Sequence, residues 1–333
     1  MSYYDYDFFA SPCEIELVTN FGKVFLPVLY ILVFILGYMG NGLVACVLLN
    51  SLHRSNLTDL CLLNLAVSDL LFLLTLPLYV LYVAASFSWV IGDFMCHISG
   101  GLHSLGFYSS TFFMVVMTLD RYVLIQHAQK SSKYRSMKTG MILSMFVWAL
   151  SFLVSLPAFI FTITDNGTCD YDPESEIWID YRSATNILCL ALSFIVMLVC
   201  YSRILPTLTK MRSTQKHRSI KLIVCVITVF FLFWTPYNIT LFLDFLRLKN
   251  RITDSCELHA GIRLSLVVTE PIAFSHCCLN PVIYAFAGQK FKKRSVIVLR
   301  KLLSRTPASR DRADTSIRMS SIASRTSVTT SIL

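Results

Sequence analysis

Seven long apolar segments dominate this chain, and each is long enough to cross a lipid bilayer as a helix. A helix that spans the ~30 Å hydrocarbon core needs roughly 20 mostly apolar residues. The segments, numbered span 1 to span 7, occupy residues 24–49, 60–85, 94–125, 139–163, 184–209, 222–246 and 262–287. Because the bilayer offers no water to backbone amides, each segment must satisfy its own hydrogen bonds, as a helix does. The sequence therefore predicts an all-α fold, a seven-transmembrane helix bundle.

The composition excludes an ordinary soluble protein, since 55% of the 333 residues are hydrophobic and only 15% are charged. An odd number of spans without an internal repeat argues against the two matched halves of a transporter. We find no nucleophile–base pair, phosphate-binding loop or metal-spaced His/Cys cluster in the sequence. We therefore expect neither an enzyme nor a nucleic-acid-binding protein.

The basic residues predict the orientation in the membrane. With the N-terminus outside, the cytoplasmic side holds 23 of the 29 Lys and Arg residues. The six on the outer side are Lys23, Arg182, Arg247, Lys249, Arg251 and Arg263. The opposite orientation would violate the positive-inside rule, so we predict an extracellular N-terminus.

The outer face is predicted to be acidic, although the whole chain has a net charge of +9. Fifteen of the 20 acidic residues lie on that side against six basic residues, which gives a formal charge near −9. Such a face attracts a basic soluble partner and speeds its association. The alternative is that acidic groups are simply the charges tolerated on a translocated surface.

We expect four parts in the chain: an extracellular acidic arm at 1–23, the helix bundle at 24–287, an amphipathic membrane-surface helix at 288–303 and a disordered tail at 304–333. In the arm, Tyr3, Tyr4 and Tyr6 are interspersed with aspartates, which makes them candidates for sulfation and for binding Lys or Arg. The alternative is a merely disordered acidic tail. Asn166 begins a glycosylation sequon on the predicted outer side.

The predicted cytoplasmic end combines basic and apolar residues at 288–303, a pattern typical of a short helix lying on anionic lipid. The segment from 304 to 331 contains thirteen Ser or Thr residues among basic ones. Phosphorylation there would turn this basic tail acidic and so regulate the protein. A plain solvated tail is the alternative.

Four of the eleven cysteines lie on the predicted outer side, which is an oxidising compartment. These four are Cys13, Cys96, Cys169 and Cys256, and the sequence alone does not choose among their three possible connectivities. The expected positions of the loops favour Cys96–Cys169, which would join the top of span 3 to the loop after span 4. The remaining pair, Cys13–Cys256, would then fix the arm beside span 7.

Asp69 is a functional candidate because a charged Asp at the bilayer centre costs on the order of 3 kcal/mol. Neighbouring spans could bring Asn41, Ser110 and Asn280 towards it. Oxygen atoms around one carboxylate suit a small hard cation or a water cluster, so Asp69, Ser110 and Asn280 form a candidate sodium site. The alternative is a hydrogen-bonded polar plug that keeps the helices in register.

Glu270 lies one to two turns inside the outer surface, where a carboxylate needs a partner that a basic ligand group could supply. An intramolecular pair with His103 is the alternative. Tyr30, Tyr79, Tyr108 and Tyr237 are expected at the same depth. Their rings form either a pocket with Glu270 or ordinary helix packing.

Prolines mark bending points in the last two spans. Span 6 contains Phe230, Trp234 and Pro236, and span 7 contains Pro281. Because a proline removes one helical hydrogen bond, both helices are candidates for two-state elements that switch.

These features together resemble the rhodopsin-like (class A) G-protein-coupled receptors over nearly the whole chain. The residues that carry the resemblance are Gly40-Asn41, Ala66 with Asp69, Asp120-Arg121-Tyr122, Trp148, Trp234-x-Pro236 and Asn280-Pro281 with Tyr284. The resemblance implies a plasma-membrane receptor. Its activation and G-protein coupling residues would be Asp120, Arg121, Tyr122, Tyr201, Phe230, Trp234, Pro236, Asn280, Pro281 and Tyr284.

A second set of residues resembles the chemokine receptors: Thr75-Leu76-Pro77, Trp89 before Cys96, Gln126-His127-Ala128, Thr269-Glu270 and the run from Ala273 to Pro281. Cys13 and Cys256 are typical of that family as well. The resemblance implies that the arm binds the core of a basic chemokine and that an inhibitory-type (Gi) G protein is activated. The chemokine N-terminus would enter a pocket formed by Tyr30, Tyr79, Trp89, His103, Tyr108, Tyr237 and Glu270.

Within that family the sequence is most similar to the XC-type (lymphotactin) receptors, by the stretches at 217–223, 234–243 and 169–171. Three departures from the wider pattern are Ser193 in place of proline, His103 in place of tyrosine, and Val123-Leu124 after Asp120-Arg121-Tyr122. The last departure keeps open an atypical receptor that internalises chemokine without G-protein coupling. A receptor for another peptide chemoattractant is a further alternative.

Overall fold

The structure is a computed structural model, and it describes residues 16–50, 57–127, 136–165, 167–171, 176–210, 214–249, 251–252, 255–287 and 296. Most of these residues are helical. The helices are Glu16–Leu49, Leu57–Leu73, Leu76–Ala84, Asp93–Gln126, Met137–Phe161, Glu176–Lys210, Thr214–Leu248, Cys256–Phe274 and His276–Ala287. Span 2 and span 7 each consist of two consecutive helices, and every other span is a single helix.

Six stretches among the described residues are long and apolar enough to cross a membrane, at Val18–Leu49, Leu57–Ala84, Asp93–Gln126, Met137–Phe161, Asp180–Thr207 and Cys256–Pro281. They coincide with spans 1 to 5 and span 7. Span 6 lies within the helix Thr214–Leu248, where the side chains of residues 214–228 are outside the description. The prediction of a helical membrane protein is therefore confirmed.

Several helices extend beyond the apolar spans. Span 1 begins at Glu16 rather than near residue 24, and span 5 begins at Glu176 rather than near residue 184. Hydropathy marks only the part of a helix that suits lipid, whereas helical hydrogen bonding continues into polar sequence. Spans 4 and 7 begin at N-caps, because the hydroxyls of Ser136 and Ser255 each accept a backbone N–H at 3.2 Å.

Prolines accompany the interruptions of spans 2 and 7. Pro77 lacks the N–H that would bond the carbonyl of Leu73, and the helix ends at Leu73 and resumes at Leu76. Between these two helices the hydroxyl of Thr75 donates to the carbonyl of Phe72 at 2.7 Å. In span 7 the two helices meet at Ser275. Span 6, in contrast, continues as one helix through Pro236.

A short hairpin follows span 4, with strand β1 at Thr162–Asp165 and strand β2 at Thr168–Tyr171, paired antiparallel. A disulfide joins Cys169 of β2 to Cys96 in the first turn of span 3, with Cα atoms 5.6 Å apart. The hairpin is thereby fixed to span 3, as the loop positions had favoured. Cys256 is disulfide-bonded as well. Cys13 lies outside the described residues, so its pairing with Cys256 stays a prediction.

Spans 2 and 3 approach each other more closely than side chains usually allow. A Cβ atom built on Gly106 would lie 2.6 Å from the backbone nitrogen of Phe72, so only glycine fits there. One turn along each helix, the same approach brings Asp69 of span 2 against Ser110 of span 3. A small residue in span 3 thus positions a polar site in the middle of the bundle.

Candidate functional site

The half of the bundle that is predicted to face outside, called the outer half below, contains a buried carboxylate, Glu270 of span 7, which is only 6% exposed. The hydroxyl of Tyr30 in span 1 donates a hydrogen bond to it. The guanidinium of Arg182 in span 5 attracts Glu270, and the carboxylate of Asp170 in β2 repels it. Glu270 is therefore stabilised by groups from spans 1 and 5, against the repulsion of Asp170 in the hairpin.

His103 is not the partner of Glu270 that the sequence offered as an alternative. Its Nδ1 atom lies 3.3 Å from the hydroxyl oxygen of Thr75. Its ring packs against Phe72 and Phe274, with centroids 4.6 and 5.2 Å away. His103 thus belongs to the packing between spans 2, 3 and 7.

Aromatic rings form a continuous series of contacts that begins at Tyr30, beside Glu270, passes through Trp234 in span 6 and ends at Tyr108 in span 3. Successive ring centroids are 5.1 to 6.2 Å apart, the separation at which aromatic pairs attract. In order, the rings are Tyr30, Tyr79, His103, Phe274, Tyr237, Trp234, Phe107 and Tyr108. The series joins five of the predicted pocket residues to Trp234. Phe274 and Phe107 belong to it although the sequence did not single them out.

Tyr108 ends this series against span 5. Its hydroxyl donates to the side-chain oxygen of Asn186 at 2.7 Å and lies 3.0 Å from the hydroxyl of Thr185. The ring therefore anchors span 3 to span 5 at the depth of the aromatic series.

Trp89 contributes to a different part of the outer surface. Its backbone N–H donates to the carbonyl of Gly167, which links the loop between spans 2 and 3 to the hairpin. Its indole N–H donates to the carbonyl of Gly92 at 2.9 Å, and its ring packs 6.5 Å from that of Tyr82. These contacts hold the loop and do not extend the aromatic series.

Buried ion pairs line the outer end of the bundle, and the sequence analysis did not assign them to the site. Asp170 of β2 pairs with Arg182 of span 5, and Asp244 pairs with Arg247 of span 6 at 3.1 Å. All four side chains are buried. Asp244 and Arg247 lie three residues apart in one helix, so their spacing was an available signal. The pairing of Asp170 in β2 with Arg182 in span 5 depends on the fold.

Arg182 also stacks on the hairpin. Its guanidinium carbon lies 5.3 Å from the ring centroid of Tyr171, a cation–π contact. Burial raises the pKa of the Tyr171 hydroxyl, although the positive charge of Arg182 opposes that shift. The residue therefore stays neutral beside the ion pair at any physiological pH.

Asp69 is the centre of a polar cluster that joins spans 2, 3 and 7. The Ser110 hydroxyl donates to one carboxylate oxygen at 2.7 Å, and the Asn280 amide donates to the other at 2.8 Å. Asn41 does not join them: its amide donates to the carbonyl of Cys277 at 3.0 Å. Pro281 cannot supply the helical N–H for that carbonyl, so Asn41 of span 1 replaces it.

Two further donors lie beside Asp69, and the sequence analysis missed both. The ligand atoms of Asp69, His276 and Cys277 all lie within 4.8 Å of one another, and all three residues are buried. Both donors lie in span 7 and Asp69 lies in span 2, so no regular spacing along the sequence could have revealed their proximity.

The end of span 3 that is predicted to face the cytoplasm presents the predicted coupling residues. Asp120 accepts a hydrogen bond from the hydroxyl of Thr58 in span 2 at 2.7 Å. Arg121 is exposed, and its charge acts on Tyr201 of span 5, whose hydroxyl lies 3.4 Å from that of Thr118. The structure thus places Arg121 at an open surface beside span 5.

Some predicted site residues lie outside the described part of the chain. These are Tyr3, Tyr4, Tyr6, Cys13 and Asn166, together with the side chains of Phe230 and Tyr284. Their roles stay predictions.

Residues 40–284 match the family of 7 transmembrane receptors (rhodopsin family). The chain is 42% identical over 306 residues to CX3C chemokine receptor 1 of Mus musculus, which covers 90% of this chain and 85% of that protein. The human CX3C chemokine receptor 1 is 43% identical over 295 residues, or 87% of this chain and 82% of the relative. The C-C chemokine receptor type 3 of Cavia porcellus is 40% identical over 300 residues, or 88% and 83%. The chain belongs to the chemokine receptors of the rhodopsin family.

Membership in this family confirms a seven-transmembrane receptor that crosses the membrane several times, and the family consists of receptors rather than enzymes. Span 5 of the receptor shows one departure from the sequence pattern of the wider receptor family, a serine at position 193 in place of proline. Ser193 lies inside the uninterrupted helix Glu176–Lys210, and its hydroxyl donates to the carbonyl of Cys189 at 2.7 Å. A proline at this position could not have kept its backbone N–H in that helix.

Proposed function

We propose that the receptor binds a basic chemokine at its outer face and activates a Gi-type G protein, which drives chemotaxis and calcium signalling. The observation that carries the proposal is the continuous series of ring contacts between Tyr30, the partner of Glu270, and Trp234 of span 6. The chain is similar to relatives named as chemokine receptors over most of their length, and this similarity supports the class of ligand. In this proposal the receptor lies in the plasma membrane with its N-terminus outside.

Binding begins at the acidic arm of residues 1–23. Sulfated Tyr3, Tyr4 and Tyr6 would hold the basic core of the chemokine through charge-assisted hydrogen bonds. Cys13–Cys256 would fix the arm beside span 7, and a glycan on Asn166 would lie on the same side of the membrane. The acidic surface as a whole accelerates the encounter.

The chemokine N-terminus then enters the outer half of the bundle. A cationic group of the ligand competes with the Tyr30 hydroxyl for Glu270, a buried acid for which a further positive charge is favourable. The buried ion pair between Arg182 of span 5 and Asp170 of β2 lies near Glu270. Repacking of Tyr30 and Tyr79 displaces the rings that follow in the aromatic series.

Displacement of the series moves Trp234, a fully buried ring two residues before Pro236. Because Pro236 leaves the carbonyl of Leu232 without its helical N–H partner, span 6 bends there at lower cost than elsewhere. Bending opens a cytoplasmic cleft in which the exposed Arg121 contacts the G protein. Asp69, Asn280, Pro281 and Tyr284 couple span 7 to the same movement.

The cytoplasmic end carries the regulation. The segment 288–303 lies on anionic lipid, and receptor kinases phosphorylate the tail at 304–333 so that arrestin binds.

A panel assay tests the proposal. Cells that express the chain are exposed to chemokines of the XC, CX3C and C-C types, and Gi activation is measured with and without pertussis toxin. We expect a toxin-sensitive response to one subclass, and the XC type is the subclass we propose from the sequence. Responses to none of the chemokines would refute the proposal.

An atypical receptor is the second candidate, because Val123-Leu124 departs from the usual sequence after Arg121. Such a receptor would bind and internalise a chemokine. In the same panel it would take up labelled chemokine without any G-protein response.

A further inference from the structure

Buried charges lie at the outer ends of spans 6 and 7, beside a small apolar contact between the two helices. Leu241 of span 6 is buried against Ile262 and Leu266 of span 7. Asp244 lies about one turn beyond Leu241 in span 6, and Arg263 directly follows Ile262 in span 7. The contact therefore brings charged residues of the two spans close together.

On span 7, Arg263 is bonded to a histidine of its own helix. Its Nε atom donates to Nε2 of His259 at 3.3 Å, and the two residues are only 4% and 3% exposed. Because a guanidinium only donates, Nε2 must hold a free lone pair, and the imidazole is neutral in this arrangement. A proton on Nε2 would remove the acceptor and set two positive charges against each other. The contact therefore exists only while His259 is neutral.

On span 6, Asp244 has one carboxylate oxygen in use and one available. Its Oδ1 atom accepts from Nε of Arg247 at 3.1 Å, whereas Oδ2 has no hydrogen-bond partner among the described residues. Asp244 is 1% exposed, and an unpaired oxygen on a buried carboxylate is unfavourable. Arg263 already attracts this carboxylate through its charge. Nε2 of His259 and Oδ2 of Asp244 are therefore two acceptors beside one guanidinium.

We propose that His259 is an acid-sensitive switch that moves Arg263 from one span to the other. At neutral pH the imidazole keeps the guanidinium on span 7. Histidine ordinarily takes up a proton near pH 6.5, and this proton, which comes from solvent, turns Nε2 from an acceptor into a donor. Arg263 then leaves the imidazolium and donates to Oδ2 of Asp244, which cross-links spans 6 and 7.

Other charged groups lie at the same end of the bundle and affect the proton on His259. In the described part of the chain they are Arg247 of span 6, Arg182 of span 5, Asp170 of β2, the pair of Lys249 and Asp180, and the exposed Lys23 of span 1, Arg251 and Glu257. Asp254, just before span 7, lies outside the described residues. The buried arginines oppose a positive charge on His259, whereas Asp244 favours it. Protonation of His259 is therefore coupled to the transfer of Arg263.

The cross-link would restrain signalling, a consequence that rests on the proposed function. Asp244 lies beyond Pro236 in the helix that is proposed to bend at that proline. A bond from span 6 to span 7 on the outer side of the bend opposes the movement, so we expect acid to lower the agonist response. The cross-link itself can be measured without any ligand.

A double-mutant cycle on the purified full-length receptor tests the cross-link. The variants are Asp244→Asn, Arg263→Gln and the two combined. Their melting temperatures are measured at about pH 7.5 and about pH 5.5, on either side of the ordinary histidine value. Residues that interact give non-additive changes. We expect the non-additivity to be about 2–4 °C larger at the lower pH.

Two histidine variants identify the group that takes up the proton. His259→Gln keeps an acceptor for Arg263 that does not titrate, so the coupling should be the same at both pH values. His97→Gln is the matched control, because this histidine near the start of span 3 pairs with Asp93 at 3.4 Å. It should leave the pH dependence of the coupling intact.

A coupling that is equal at both pH values, or a pH dependence that persists in His259→Gln, would overturn the proposal. A coupling that falls in acid would also overturn it, because Asp244 would then be the group that takes up the proton. A pH-dependent coupling without any chemokine response would refute the proposed function and leave the switch standing.

Hydrogen exchange of the wild type needs no variant and covers the case in which a variant misfolds. After correction for intrinsic rates, amides at the outer ends of spans 6 and 7 should be more protected at the lower pH. Unchanged protection there would contradict the switch.

Discussion

At the scale of single residues, signalling is expected to depend on the charge of Glu270. The variant Glu270→Gln keeps the volume and can still accept from Tyr30, but it no longer attracts a cationic ligand group. A hydrogen bond to a charged group contributes about 1.5–3 kcal/mol, so the potency of G-protein activation should fall about tenfold or more. Chemokine affinity, which the proposed mechanism assigns largely to the outer face, should change far less.

Concentration–response curves for G-protein activation, paired with radioligand binding, measure both effects. Glu257→Gln is the matched control, because this acid is exposed in the first turn of the same span and should leave both curves unchanged. If Glu270→Gln and the wild type activate the G protein with equal potency, Glu270 does not contact a cationic group of the ligand.

The depth of Glu270 could be predicted from the sequence, but its partner could not. Burial follows from the position of a residue within an apolar span. The choice of Tyr30 over His103 depends on the rotation of spans 1 and 3 about their axes, which hydropathy does not specify. The same limit applies to Arg182 with Asp170 and to Asp69 with His276 and Cys277, whose contacts cross between elements.

At the scale of elements, the close approach of spans 2 and 3 depends on Gly106. Gly106→Ala forces a Cβ to 2.6 Å from the backbone of Phe72, and overpacking of this kind costs about 1–3 kcal/mol. We expect a lower melting temperature of the purified receptor. Gly42→Ala in span 1 is the control, since its Cβ would meet nothing within 4 Å and alanine is the better helix former.

If Gly106→Ala melts at or above the temperature of Gly42→Ala, the approach of spans 2 and 3 does not depend on the missing side chain.

The seven spans could be predicted because length and hydropathy suffice for a transmembrane helix. The bounds could not, since polar residues such as Glu16 and Glu176 continue helices beyond the apolar part. The interruption at Ser275 was likewise not predicted, although Pro271 and Pro281 flank it. The hairpin escaped notice because each strand has only four residues and its position depends on Cys96–Cys169.

At the scale of the whole molecule, the proposed mechanism places ligand binding and G-protein coupling at opposite ends of the bundle, so the two should be separable. Arg121→Ala removes an exposed cation at the cytoplasmic end, far from Glu270. We expect chemokine binding to persist while Gi activation is lost. Binding isotherms and G-protein activation in the same membranes measure the two separately, and retained activation would exclude Arg121 from the coupling site.

The most direct test of the proposed mechanism replaces one ring of the aromatic series between the two ends of the bundle. Phe274→Leu keeps apolar volume but removes the ring between His103 and Tyr237, where each aromatic contact contributes about 0.5–1.5 kcal/mol. The control is Phe152→Leu, an exposed ring of span 4. The measurement is the potency of Gi activation relative to chemokine affinity in the same cells. We expect Phe274→Leu to lower potency about three- to tenfold with affinity retained, and unchanged potency would show that the signal does not pass through these rings.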